Sequence, residues 1–139
     1  MKEIKLTYVV DDDEIVLLIA SKLLGKHPAF IESETFSSAE KCLQRIKANI
    51  AQNQPLPDLI LLDINMPVMD GWEFLDEILK IPQIQNTPVC LFTSSIDPRD
   101  HELAKAFPNV ACFITKPLLM SKLDEILLKV SQKLTLDIP

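Results

Sequence analysis

The 139-residue chain has no basic cluster, no long apolar run and no paired cysteines. Each absence narrows the function. Nucleic-acid binders draw their affinity from Lys and Arg clusters, and a net charge of −6 without a basic run argues against that class. No segment approaches the ~18–20 uninterrupted apolar residues of a membrane span. Met1-Lys2-Glu3-Ile4-Lys5 lacks the charged, then apolar, then small pattern of a signal peptide. Cys42, Cys90 and Cys112 are odd in number, scattered, and without CxxC spacing. They read as reduced, buried thiols of a cytoplasmic protein rather than as a disulfide framework or a redox motif. Internal repeats and low-complexity stretches are also missing. The expectation is a cytoplasmic protein with no nucleic-acid and no membrane partner.

What is present suits one globular domain. Apolar residues make up 47% of the chain, and at this length roughly two-thirds of the unfolded surface can be buried. Strand-like and helix-like segments alternate five times. The strands are expected at about Ile4–Val10, Phe30–Thr35, Leu59–Leu62, Val89–Phe92 and Ala111–Ile114. The first helix carries Ile15, Leu18, Ile19 and Leu23 on one face, with Gly25 as a C-cap and Pro28 beyond it. Ser37 and Glu40 have capping-box spacing and open the second helix, whose inner face is Ala39, Leu43, Ile46 and Ile50. The third helix covers about Trp72–Leu79. Asp97-Pro98 reads as an N-cap with proline at the first helical position, and that helix runs to about Phe107. The last helix carries Leu123, Ile126, Leu127, Val130 and Leu134 on one stripe. Strands three and four are nearly unbroken apolar runs, so both of their faces are covered. The fold class is α/β: a doubly wound, five-stranded parallel sheet with five helices. Residues 1–139 are expected to form a single domain without an attached output domain.

Ligands in such sheets sit at the carboxyl ends of the strands. The first strand ends in Asp11-Asp12-Asp13, the third in Asp63, the fourth in Thr93 and the fifth near Lys116. Ionised carboxylates are costly to bury without a compensating cation. Two acidic strand ends side by side form an oxygen-lined pocket for a hard divalent cation, Mg2+ or Mn2+. Asp12 and Asp63 are the expected ligands, with Asp11 ligating or holding a coordinated water, and Asp13 is expected to cap the first helix. A carboxylate can attack phosphorus and form an acyl phosphate. The Lys116 ammonium and the Thr93 hydroxyl would then stabilise the product oxygens.

Four stretches resemble the receiver domains of two-component response regulators. They are Tyr8-Val9-Val10-Asp11-Asp12-Asp13, Leu61-Leu62-Asp63-Ile64-Asn65-Met66-Pro67-Val68-Met69-Asp70-Gly71, Leu91-Phe92-Thr93-Ser94-Ser95 and Phe113-Ile114-Thr115-Lys116-Pro117. Essentially the whole chain is covered, and the Asp63-to-Gly71 stretch is the most specific. The resemblance implies a flavodoxin-like strand order, 2-1-3-4-5. It implies that Asp63 accepts a phosphoryl group from a sensor histidine kinase or a histidine phosphotransfer protein. Asp11 and Asp12 would hold Mg2+, the Asn65 backbone carbonyl would complete the metal shell, and Lys116 would bond a phosphoryl oxygen. Thr93 and Phe113 would be the switch residues that change the surface offered to a downstream protein target. The Lys116–Pro117 bond matches one that is cis in this family. Ser95 is small and uncharged where hydrolytic water would enter.

The resulting expectation is a stand-alone response regulator that is a phosphoprotein and not a turnover enzyme. The competing classes are a Mg-dependent aspartyl-phosphate phosphohydrolase, an unphosphorylated receiver-like scaffold and a flavodoxin-like electron carrier. The hydrolase usually wants an acid two residues past its nucleophile, where this chain has Asn65. The electron carrier must bind a phosphate dianion at its first loop, which Asp11-Asp12-Asp13 would repel. Met66, Met69, Trp72 and Phe74 read as packing residues, and His27 and His101 as surface residues. Ile15–Ala20 is apolar at all six positions, more than one helix face can hide. Val16 or Leu17 is therefore expected to stay partly exposed beside the acidic pocket. Since receivers dock their phosphodonor against this helix, the resemblance implies that Val16 and Leu17 form the apolar part of that contact.

Overall fold

The computed structural model describes residues 3–94 and 97–136. The elements follow in the order β1 (Ile4–Val10), α1 (Glu14–Lys26), β2 (Phe30–Phe36), α2 (Ala39–Ala51), β3 (Leu59–Leu62), α3 (Gly71–Leu79), β4 (Val89–Thr93), α4 (Pro98–Ala104), β5 (Val110–Thr115) and α5 (Met120–Leu136). The five strands form one parallel sheet in the order β2-β1-β3-β4-β5. Class and order are those expected.

Each face of the sheet has its own core. Val9, Leu61, Cys90, Phe92 and Ile114 point to the side covered by α1 and α5. Tyr8, Val10, Ile60, Leu62 and Leu91 point to the side covered by α2, α3 and α4. The central strands are therefore apolar at successive positions, and all four residues of β3 are fully buried. The three cysteines are free and buried. Among the described residues, no helix is long and apolar enough to cross a membrane.

The helix starts are set by side chains that accept orphan N–H groups. Asp13 accepts from the amides of Ile15 and Val16 and caps α1. Asp97 caps α4, with Pro98 opening the helix, as expected. Asp70 and Glu73 form a reciprocal capping box at α3 that the sequence reading had not singled out.

Several expectations are corrected. The α1 face turned to the sheet is Leu17, Ala20 and Leu24, while Ile15, Leu18 and Ile19 are exposed. Six consecutive apolar residues fit two helical stripes, and small Ala20 lets the helix approach the sheet closely on one of them. Leu17 is thus buried at 7% exposure and Val16 is half-buried, so the partial exposure expected at one of the two falls to Val16. Gly25 lies inside the last turn of α1, and the cap is His27, whose N–H reaches Leu23 and Leu24 carbonyls. His27 is buried, not a surface residue. Its Nε2 lies 2.7 Å from Asp124 on α5, and its Nδ1 accepts the Ala29 amide. That partner is 97 positions away, so no local pattern signals it. The cap of α2 is Ser38 rather than Ser37. Helix α4 stops at Ala104, short of Phe107. Leu134 has no described side chain, and Ser95 lies outside the described residues.

One glycine is required by close approach. A Cβ at Gly71 would sit 2.8 Å from the Asp63 carbonyl oxygen and 2.8 Å from the Ile64 Cα, both backbone atoms. The Gly71 amide meanwhile donates to the Ile64 carbonyl, which draws the start of α3 onto the end of β3. Gly71→Ala must push the Asp63 loop away and is expected to cost about 1–3 kcal/mol. Urea denaturation measures it, and an unchanged midpoint would contradict this packing.

Candidate functional site

Parallel pairing of β1 with β3 aligns Val10 with Leu62. The residues that follow, Asp11 and Asp63, therefore leave adjacent strands at the same level. Backbone bonds fix both: the Asp11 amide donates to Phe36 and the Asp63 amide to Val10. On the other side, the Lys116 amide donates to the Thr93 carbonyl and ties the end of β5 to β4. The fold thus gathers four of the expected residues, Asp11, Asp63, Thr93 and Lys116, at one end of the sheet, and all but Lys116 are buried. Asp12 joins them from an exposed position.

Lys116 carries the charge compensation. Its Nζ lies 2.6 Å from Asp11 Oδ2 and 3.6 Å from Asp63 Oδ2, and 5.4 Å from the Phe92 ring centre. Burial works against the ammonium, but the Asp11 hydrogen bond and the Asp63 charge outweigh it and hold its pKa above the ordinary lysine value. The Asp63 carboxyl moves the opposite way to a usual paired acid. Burial first, and then the Asp11 charge, push it up to about 6, against the pull of Lys116 and of the Asn65 amide.

Asp11, Asp12 and Asp63 each present a carboxylate oxygen within 4.8 Å of the other two. The set is all oxygen, hard and over-charged, which fits Mg2+, Mn2+ or Ca2+ and not a thiophilic metal. Asp11 Oδ2 is buried, and its 2.6 Å contact with the Lys116 ammonium still leaves it lone-pair capacity for a cation. The residues present fit a divalent metal.

Two amides orient the carboxylates: Asp13 N–H donates to Asp11 Oδ1 at 2.9 Å and Asn65 N–H to Asp63 Oδ1 at 3.2 Å. The Asn65 side chain turns to Thr93, Nδ2 to Oγ1 3.5 Å. Phe113 lies half-buried on β5, with the ring of His101 stacked on it at 3.8 Å between centres. His101 is exposed, as expected, and no local sequence pattern signals this stack. Trp72 stacks on Phe107 and Phe74 is fully buried, in keeping with their reading as packing residues.

Beside the cup, α1 presents exposed Ile15, Leu18 and Ile19. A mostly apolar groove of about 260 Å3 adjoins them, lined by Val16, Ile19, Phe92, Lys116, Pro117 and Leu118. Of the two residues expected to dock a partner, Val16 lines this groove, and Leu17 packs inward instead.

A family model describing the response regulator receiver domain matches residues 7–128. The response regulator Rcp1 of Synechocystis sp. is 42% identical over 65 residues, 47% of this chain and 44% of that protein. The chain thus matches less than half the length of that relative. A two-component response regulator from Cytophaga hutchinsonii superposes with a TM-score of 0.83 at 30% identity, over 94% of this chain and 99% of its own. The Mn(2+)-bound form of response regulator Rcp1 gives a TM-score of 0.72 at 26% identity over 88% of each chain.

The raised Asp63 pKa makes the stability of the fold depend on pH. Its folded-state pKa of about 6 lies above the ordinary 3.8, so folding favours the protonated form. The stability of the metal-free protein should therefore receive this contribution in full below 3.8 and lose it as pH rises through about 6. Urea denaturation of wild type and Asp63→Asn across that window measures it. The difference between the two should widen toward high pH, and a pH-independent difference would contradict the crowding.

Proposed function

The chain belongs to the response regulator receiver family, and from that premise we propose that Asp63 is its phosphoacceptor. The observation that carries the reading is the cup itself: two buried acids and an exposed one, bridged by one ammonium, with a buried hydroxyl beside them. In the proposed step an Asp63 carboxylate oxygen attacks the phosphorus of a phosphohistidine. The O–P bond forms as the P–N bond breaks, and the departing imidazole nitrogen takes up a proton. Asp11, Asp12, Asp63 and the Asn65 backbone carbonyl would hold the metal, proposed as Mg2+, which supplies charge neutralisation at the phosphoryl oxygens. Lys116, already between Asp11 and Asp63, can follow the new charge, and Thr93 can donate its hydroxyl to a phosphoryl oxygen. The Asn65 amide holds the attacking carboxylate in orientation.

The proposed output is a population shift. A Thr93 hydroxyl drawn to the phosphoryl group leaves space into which Phe113 turns, away from His101, and the surface around α4, β5 and α5 changes for a downstream protein. This reading makes the chain a signalling protein of the cytoplasm, to which the free, buried thiols are suited. It acts on itself and turns over no external substrate. The phosphodonor is proposed to be a histidine kinase or a phosphotransfer protein, docked on the exposed α1 row and the groove beside it.

Acetyl phosphate with Mg2+, followed by intact mass, tests the first part. Wild type is expected to gain one phosphoryl group and Asp63→Asn none. A variant that labels like wild type overturns the assignment, and continuous phosphate release from the wild type favours the hydrolase. The docking part is tested with Leu18→Arg. Phosphotransfer from a helical-bundle donor should slow by about ten-fold, the effect of about 1.4 kcal/mol. Uptake from acetyl phosphate should stay at the wild-type rate, since Leu18 supplies no group to the cup. Equal slowing with both donors contradicts a docking role.

A further inference from the structure

The lysine that compensates the cup is itself held by another lysine. Lys122, in the first turn of α5, points its ammonium back over the loop that carries Lys116. Its Nζ donates to the Thr115 carbonyl at 2.6 Å and to the Pro117 carbonyl at 2.8 Å. Those two carbonyls bracket Lys116 in the chain. Lys116 is thereby tied at three points: its own amide to Thr93, and the backbone on either side to one cation. Charge-assisted bonds of this length are the stronger kind, and two from one donor fix a loop more narrowly than one.

Helix stability does not account for Lys122. The first turn of α5 holds no acidic residue, and the partial positive charge of a helix N-terminus disfavours a cation there. No local ion pair offsets this among the described residues: Glu125, three positions on, pairs with Lys129, and the position four on is Ile126. The start of α5 also lacks a polar cap, since Leu119 supplies the carbonyl for the amides of Lys122 and Leu123. A residue that breaks the local helix rules and spends its donors on two loop carbonyls points to a role in the loop.

We infer that Lys122 is a positioning residue, clamping the loop between β5 and α5 so that the Lys116 ammonium stays between Asp11 and Asp63 and meets the phosphoryl group as it arrives. The inference rests on the reading of Asp63 as the phosphoacceptor. Lys122 touches none of the reacting atoms. It acts through Lys116 by removing the freedom of the backbone that carries it, and small misplacements of a charge-stabilising group are expensive in rate.

The full-length chain serves for the test, with acetyl phosphate and Mg2+ as reagents and intact mass as readout. Lys122→Met keeps the aliphatic stem and removes the donors. It should lower the maximal rate of phosphoryl uptake about ten-fold at saturating donor, with the half-saturating donor concentration little changed. Lys122→Arg, which can also donate to both carbonyls, should restore most of the rate. With Lys116→Met already in place, Lys122→Met should have no further effect, because the group it positions is gone. A merely structural role would instead cost the same in both backgrounds and would not be rescued selectively. A Lys122→Met rate equal to wild type, or an undiminished loss in the Lys116→Met background, overturns the inference while the wild-type label at Asp63 leaves the site reading standing. Failure of the wild type to label removes both.

Discussion

One cation set between two acids organises this end of the molecule. Without Lys116 the buried Asp11 and Asp63 would face each other with no positive charge between them, and a buried, unpaired charge costs several kcal/mol. With it, one contact is short and the other long, 2.6 Å and 3.6 Å. The asymmetry matters. Asp11 is the better-compensated acid, and Asp63 keeps part of its frustration, visible as a carboxyl pushed up to about 6. A rise from 3.8 to about 6 corresponds to roughly 3 kcal/mol at ~1.36 kcal/mol per unit. The cup therefore carries negative charge that Lys116 alone does not compensate.

The sheet can bear that cost because of how the strands beneath it are packed. Each fully buried Leu or Ile contributes about 1.5–3 kcal/mol, and β3 alone supplies four, from Leu59 to Leu62. The strand that carries the most frustrated residue is also buried along its whole length. Its acid follows immediately, and the close approach of Gly71 to the Asp63 and Ile64 backbone stops the loop from drifting outward. The crowded carboxyl at the end of β3 is thus anchored by apolar burial one residue away, which holds it in the cup.

The residues differ in how legibly they announced this arrangement. Sheet class was readable because burial on two faces leaves unbroken apolar runs, and the strand order came only through the family resemblance. The acids stood out because several strand ends carry polar groups that packing does not require. The orientation of α1 was not. Ile15–Ala20 offers two stripes of equal quality, and the choice between them depends on the cap at Asp13 and on Ala20 against the sheet, a packing fact rather than a pattern. His27 was misread for a related reason. A histidine satisfied by Asp124 leaves no trace within a window of ten residues. Lys122 is the same kind of case: in sequence it is one of many helical lysines, and only the fold of the β5–α5 loop brings two carbonyls to it.

Charge counting then connects the cup to its chemistry. Three carboxylates and one ammonium leave two net negative charges at the strand ends, the charge that a divalent cation neutralises. An aspartyl phosphate adds roughly one further negative charge over the carboxylate it replaces, so a balanced cup becomes anionic again. Lys116 is the mobile positive group beside it, and the Thr93 hydroxyl, which accepts a 3.5 Å contact from Asn65, is a neutral donor at the neighbouring strand end. A weak contact is readily exchanged for a strong, charge-assisted one. Phe113, half-buried and held from outside by the exposed ring of His101, borders the β4–β5 edge on which that exchange would take place. The Asn65–Thr93 contact is long and the bonds around Lys116 are short, so a new charge at Asp63 would displace the first more readily than the second.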